Sequence, residues 1–262
     1  MNRHILLTLM AVGLLAAQRP ARADVLDNIT SSKRIRVATD MAIPPAGMVD
    51  DKMQPTGSDV ETAQLLAKDW GVTLDFVQTT GATRIPNVQT GKADIIISTL
   101  SVTPERAKVI DFTKAYAVLQ SVIGAKKDLT LKSLADLKGL SVAVTRGTTQ
   151  DTELTAMATE RGFRVARYDD DATLLTAAVT GQADIVATSA SLVNQMGLKN
   201  PTRGFEPKFV IRNFDLAIGV KKGEPKLVEK LNAWITENLH NGKLNAIYKN
   251  YYKADLPTEM TH

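Results

Sequence analysis

Ile95-Ile96-Ile97-Ser98-Thr99-Leu100-Ser101-Val102-Thr103-Pro104-Glu105-Arg106 decides how the chain is read. An apolar, β-branched run stops at a cluster of hydroxyls, the pattern of a buried strand that ends at a polar loop. Pro104 then suits the first turn of a helix, where its missing N–H costs nothing, and Arg106 follows about one turn in. Hydroxyls, helix-start N–H groups and a guanidinium at the carboxyl end of a buried strand form a place for a small carboxylate.

Toward the N-terminus, 34–39 alternates as a strand, and Asp40-Met41-Ala42-Ile43-Pro44-Pro45 follows as a loop stiffened by two prolines. Ser58 is read as the cap of a helix with Asp59 and Glu61 in its first turn. Val60, Ala63, Leu66, Ala67 and Trp70 form that helix's apolar face, and Gly71 ends it. A strand at 73–78, a short helix from Arg84 to Gly91 and a strand at 93–98 complete a β-α-β-α-β series. Such alternation means a parallel, twisted sheet with helices on both faces and ligands at the carboxyl ends of strands.

Toward the C-terminus the chain runs extended over 117–125 and a second series begins, with a capped helical turn at 133–137. Strands are expected at 140–145, 163–167 and 183–188, with helices opening at Arg146-Gly147-Thr148-Thr149, at Asp170 and at Ser189. The tail reads as strands at 209–212 and 216–221 and a helix from Pro225 carrying Leu227, Leu231, Trp234 and Ile235 inward. A last helix spans 243–252. Thr90-Gly91-Lys92-Ala93-Asp94-Ile95-Ile96-Ile97-Ser98-Thr99 is echoed by Thr180-Gly181-Gln182-Ala183-Asp184-Ile185-Val186-Ala187-Thr188-Ser189. The repeat implies two similar lobes whose strand ends, at Thr99 and Ser189, face one cleft. The expected division is a leader at 1–23, a first lobe from 24–118 and 211–262, and a second from 119–210. Extended crossings near 117–121 and 209–214 would be the hinge.

Met1-Asn2-Arg3-His4, an apolar run at 5–17 and Ala21-Arg22-Ala23 match a secretory leader cleaved before Asp24, so export to the periplasm is expected. From Asp24 on there are 29 Lys and Arg against 28 Asp and Glu, a balance that argues against nucleic acid as a partner. The chain has no cysteine, which excludes thiolate chemistry and disulfides. Only His240 and His262 remain after the leader, which disfavours a histidine zinc site or a Ser-His-Asp triad. No metal and no cofactor is expected. Asp94 and Asp184 recur at turns and read as structural, Asp169-Asp170-Asp171 as a helix cap with solvated charge, and Trp70 and Trp234 as core.

Taken in order, these motifs resemble the periplasmic solute-binding proteins of amino-acid ABC transporters, the small type with two Rossmann-like lobes, mainly parallel sheets and a two-strand hinge (type II periplasmic binding fold). The resemblance rests on Gly57-Ser58-Asp59-Val60-Glu61, the run from Ile85 to Asp94, Thr103-Pro104-Glu105-Arg106 and Asp111-Phe112-Thr113. It rests also on Asp136-Leu137-Lys138-Gly139, Gly147-Thr148-Thr149 and Gly181-Gln182-Ala183-Asp184. It implies that Arg106 grips a ligand α-carboxylate, that Ser101 adds a hydroxyl and N–H, and that Thr99 helps hold an α-ammonium. Thr148 and Thr149 would donate to the same carboxylate as the lobes close. Ile43 and Ala46 stand where the family has aromatics, and Ser189 where it has an aspartate for the ammonium, leaving Asp40 as the nearest candidate for that role. Arg84, where leucine is common, suits a second acidic group.

The expectation is a monomeric, non-enzymatic binder that delivers a small carboxylate, an acidic or polar amino acid, to a membrane permease. The alternatives are an organic-acid binder without ammonium recognition, an exported dehydratase of the cyclohexadienyl type on the same scaffold, and a partner of a receptor kinase.

Overall fold

The computed structural model describes residues 24–261, so the leader at 1–23 lies outside the described residues. The Asp24 carboxylate caps α1 (Val25–Ser32), accepting from the Leu26 N–H at 2.9 Å. β1 (Arg34–Thr39) buries Ile35 and Val37 completely, as its alternation requires. A small hairpin of β2 (Met48–Val49) and β3 (Pro55–Thr56) leads to α2 (Ser58–Trp70). Ser58 does not cap this helix. Gly57 holds the cap position at φ 126°, and the Ser58 hydroxyl lies 3.1 Å from that of Tyr252.

β4 (Thr73–Gln78) and α3 (Arg84–Gln89) follow as expected. β5 (Ile95–Ile96) is shorter than its apolar run. The chain leaves the ladder because Thr99 turns to φ 41° and gives its N–H to the Asp59 carboxylate at 2.7 Å. α4 (Pro104–Ala107) is one turn, capped by the Thr103 hydroxyl. β6 (Ile110–Lys126) starts earlier than expected and absorbs Asp111-Phe112-Thr113. After a 3-10 turn at Leu134–Leu137 come β7 (Ser141–Thr145), α5 (Thr149–Arg161), β8 (Arg164–Tyr168), α6 (Asp171–Thr180), β9 (Ile185–Ser189) and α7 (Ala190–Lys199). The two expected tail strands are one, β10 (Phe205–Lys221). α8 (Pro225–His240), α9 (Lys243–Tyr252) and α10 (Thr258–Thr261) finish the chain.

Eight strands make one continuous sheet in the order β4-β1-β5-β10-β6-β9-β7-β8. Each end is a parallel trio, β4-β1-β5 and β9-β7-β8. Between them β6 and β10 pair antiparallel along their whole length, from Phe205 opposite Lys126 to Lys221 opposite Ile110. The two ends of that ribbon belong to different cores. Ile95 and Ile97 point to a cluster with Leu66, Leu231 and Trp234, while Ile96 points to the opposite face with Val88 and Ile110. At the far end Val122, Val186 and Leu192 fill one face, and Ile123, Val142 and Leu154 the other. Period-two alternation therefore covers both faces at both ends. Trp70 packs at the rim of the first core, half-buried, with the Lys230 ammonium 4.8 Å from its ring centre.

Asp94 accepts from the Arg36 N–H at 2.7 Å and pairs with its guanidinium, and Asp184 pairs with Arg203 at 2.7 Å. The Asp94 turn thus ties the start of β5 to β1, and the Asp184 turn ties the start of β9 to the turn before β10.

Candidate functional site

The carboxyl ends of β1 and β5 face those of β7 and β9 across the middle of the sheet, and a cavity lies between them. Asp40, Ile43, Arg84, Thr99, Ser101 and Leu119 line one side, and Thr148, Thr149, Gln150, Asp171, Thr188 and Ser189 the other. The repeat places Thr99 and Ser189 across from each other on this lining. Free space is ≈ 20 Å³, room for a water or two, so a larger guest needs the walls to part.

Eight of the nine residues singled out from sequence line this cavity. Arg106 does not. It stands at the mouth, donating from one terminal nitrogen to the Ser101 carbonyl at 2.9 Å and from the other to the Gly147 carbonyl at 3.2 Å. The second bond crosses between the halves. Burial, and then the neighbouring Arg84 charge, lower its pKa to about 9, so it stays charged at neutral pH. The N–H groups expected to join it at the helix start are not all free: the Arg106 N–H bonds the Thr103 hydroxyl at 3.2 Å.

Several lining hydroxyls already serve the backbone. Thr148 caps α5, accepting from the Asp151 N–H, and donates to the Thr145 carbonyl at 2.7 Å. Ser189 caps α7 through the Leu192 N–H at 3.2 Å. Thr149 reaches the Gln150 side chain at 3.2 Å. Asp40 is both a turn former and a wall: its Oδ1 accepts from the Ala42 N–H at 2.9 Å, yet the residue is buried in the lining. Ile43 belongs to the apolar cluster of the opposite half, with Leu174 and Leu192, and so closes the cavity's dry side.

Arg84 is the electrostatic centre. It is 5% exposed, donates to the Ser98 carbonyl, and leaves its Nε without a partner among the described residues. Burial lowers its pKa, opposed by Asp171, Asp40 and Asp59. Asp171, Asp40 and Asp59 act on it at longer range and ease the cost of burying a guanidinium this deeply.

Asp171 departs from the solvated role expected of the acidic triplet. Asp170 is the cap of α6, accepting from the Thr173 N–H at 2.7 Å, and Asp169 is exposed. Asp171 instead turns inward, 3% exposed, and accepts from the Thr145 hydroxyl at 2.7 Å. Burial first, with Asp40 adding, pushes its carboxyl up to about 7. The usable signal is position: the triplet follows β8 directly, at the carboxyl end of the sheet where ligands collect. Asp59, read from sequence only as a first-turn acid, has a larger part. It is fully buried behind the lining, holds Thr99 from one oxygen and accepts from the Tyr116 hydroxyl at 2.7 Å with the other. Burial raises its pKa to about 6.

Among the described residues there is no group of three or more His, Cys, Asp or Glu placed to hold a metal, and no helix long and apolar enough to cross a membrane.

Residues 35–254 match the family model for bacterial extracellular solute-binding proteins, family 3. Among curated relatives, a glutamine-binding protein of an ABC transporter, GlnH of Bacillus subtilis (strain 168), is 29% identical over 95% of this chain and 96% of its own. An L-arginine-binding protein of Pseudomonas aeruginosa is 28% identical over 88% and 92%. Among solved structures, an ancestral amino acid-binding protein described as a precursor of cyclohexadienyl dehydratase superposes with TM-score 0.79 at 30% identity. That match covers 87% of this chain and 99% of the ancestral one. The fold is the type II periplasmic binding fold.

Proposed function

This chain belongs to the family 3 bacterial extracellular solute-binding proteins, and from that premise we propose that it captures a single α-amino acid, acidic or polar, between its two halves and presents it in the closed form to the membrane permease of an ABC transporter. The observation that carries the reading is the paired charge of the cleft: Arg84 and Arg106 supply cations, Asp40 and Asp171 carboxylates. A zwitterion answers both signs, whereas a simple organic acid leaves two buried carboxylates facing it, which is costly. Arg106 would turn one or both of its carbonyl-bound nitrogens to the ligand carboxylate, with Ser101, Thr148 and Thr149 around it. Arg84, with its free Nε, would meet an acceptor on the ligand side chain, and Thr99, Asp40 and Ser189 the remaining polar atoms. Names of relatives that bind glutamine and arginine support the amino-acid class.

Closure would be the event the permease reads, since a ligand shifts the open–closed balance only through contacts that differ between the two forms. The working form would be a monomer in the periplasm, cut before Asp24, with lobes 24–118 plus 211–262 and 119–210. N-terminal sequencing of the exported protein and its size-exclusion mass test these points. A thermal-shift panel of the common amino acids and of organic acids tests the function, read through ligand-linked stabilisation. One or more amino acids should raise the melting temperature of the wild type, and Arg106→Ala should remove the shift. No response from any amino acid defeats the reading.

A second reading has one observation of its own. The Asp171 carboxyl, pushed up to about 7, is half protonated near neutrality and could serve as a general acid. An exported dehydratase would use it on a cyclohexadienyl acid. Incubating wild type and Asp171→Asn with prephenate, and following the absorbance of an aromatic product, separates enzyme from binder. Turnover that needs Asp171 favours the enzyme, and no turnover favours transport.

A further inference from the structure

The cleft offers two carboxylates to a ligand cation, and they are not equivalent. Asp40 sits on the same half as Arg106, at the end of β1. Its Oδ1 is engaged by the Ala42 N–H in a local turn. Asp171 sits on the other half, in the first turn of α6. Its single hydrogen bond among the described residues comes from a neutral hydroxyl, Thr145, to Oδ1, and Oδ2 has no such partner. A ligand held by Arg106 and Asp40 would have both of its charges met on one half, and closure would add only neutral polar groups to it. A ligand whose carboxylate meets Arg106 and whose ammonium meets Asp171 is gripped from both sides, and closure completes the grip.

We propose that Asp171 is the residue that receives the ligand's ammonium group, so that this protein selects α-amino acids over the matching acids that lack the amine. The inference rests on the amino-acid reading above. A carboxylate in the lining with acceptor capacity to spare faces the cavity, and a ligand cation is the group that best meets it. The groups facing Asp171 are Asp40, Arg84, Asp170 and the Thr145 hydroxyl. With the carboxyl up near 7, an incoming ammonium requires the ionised form, so binding at neutral pH should release part of a proton.

The test uses full-length mature protein and isothermal titration calorimetry with three matched pairs: L-glutamate and glutarate, L-glutamine and 4-carbamoylbutanoate, L-arginine and 5-guanidinopentanoate. For any amino acid that binds, Asp171→Asn should weaken it on the order of 10²-fold, as when one partner of a buried charge pair is removed. The des-amino partner should lose no affinity, and a gain is expected, because the neutral amide no longer repels its carboxylate. Asp171→Glu should keep the preference for the amine. Titration at pH 7 in phosphate and in Tris should show proton release by the wild type and none by Asp171→Asn. Equal losses for both members of a pair would mark Asp171 as structural and overturn the proposal, as would amino-acid affinity unchanged within about 3-fold. If no amino acid binds the wild type, the parent reading fails first. If Asp171→Asn does not fold, the Asp171→Glu result and the wild-type proton count decide.

Discussion

Replacing Asp59 by asparagine should change how stability depends on pH, with little effect on its value near pH 8. Asp59 is fully buried, and its carboxyl titrates at about 6 in the folded chain, against an ordinary value near 3.8. The folded state therefore holds a proton that the unfolded state has released, across the window from about 4 to about 6. Stability falls as pH rises through that window, because the unfolded state binds fewer protons there. The rise from 3.8 to about 6 corresponds to about 3 kcal/mol once the group is fully ionised.

Asparagine keeps the shape and one acceptor. It can take the Thr99 N–H on its oxygen, but the Tyr116 hydroxyl then loses its acceptor and meets an amide N–H instead, a loss of about 2 kcal/mol at either pH. At pH 8 the variant escapes the whole cost of the buried charge, which offsets that loss. At pH 4.5 the folded wild type still holds its proton, only about 1 kcal/mol of the cost has developed, and the bonding loss prevails. The difference in stability between the two proteins should move by about 2 kcal/mol in favour of Asp59→Asn between pH 4.5 and 8. For a chain of this size that is a relative melting shift of roughly 4–8 °C, readable by scanning calorimetry. Asp40 and Asp171 also titrate upward, but they are present in both proteins and largely cancel in the difference. A difference that stays flat with pH, or that turns against the asparagine variant at high pH, would show that Asp59 is held ionised by Arg84 and would refute the reasoning.

Three further outcomes follow from other contacts. Gly81 lies across the cavity mouth from the second half: a Cβ there would stand 2.7 Å from the Arg146 carbonyl oxygen. Gly81→Val should hold the halves apart, lowering amino-acid affinity at least about tenfold and raising the radius of gyration in small-angle scattering, with the melting temperature of the ligand-free protein nearly unchanged. Gly124→Ala should destabilise by about 1–3 kcal/mol in urea unfolding, since its Cβ would fall 2.5 Å from a Val193 methyl in a packed core. Leu231→Ala should cost about 2–5 kcal/mol by the same assay, because the side chain is fully buried beside Trp234.

Most of the framework is legible in the sequence because helix stops and strand alternation are local signals. Gly71, Gly162 and Gly181 close their helices in the left-handed conformation that such stops require. What the sequence hides depends on long-range partners. Ser58 looks like a cap, and only the arrival of Tyr252, almost two hundred positions later, gives its hydroxyl other work. The strand after Asp94 is cut short by Asp59 pulling on Thr99, again a contact between distant segments. The two tail strands look separate because polar residues between them face outward where β10 crosses from one core to the other. The cavity lining is legible at the repeat and at Arg84, yet the inward turn of Asp171 is not. Nothing in three consecutive acids says which one faces Thr145, and only the seating of α6 against β7 decides it.

The ribbon of β6 and β10 also constrains the order in which the molecule can assemble. β10 lies between β5 and β6, so the first-built strands β4, β1 and β5 have an unfinished edge until Gly219 and Val220 are made. Their core waits longer still, for Leu227, Leu231 and Trp234 of α8. The later α/β series, by contrast, has its neighbours β6, β7, β8 and β9 in one unbroken stretch. The part of the chain synthesised first is therefore completed last, and a ribosome that has just finished α7 holds a nascent chain whose leading segment has no finished core.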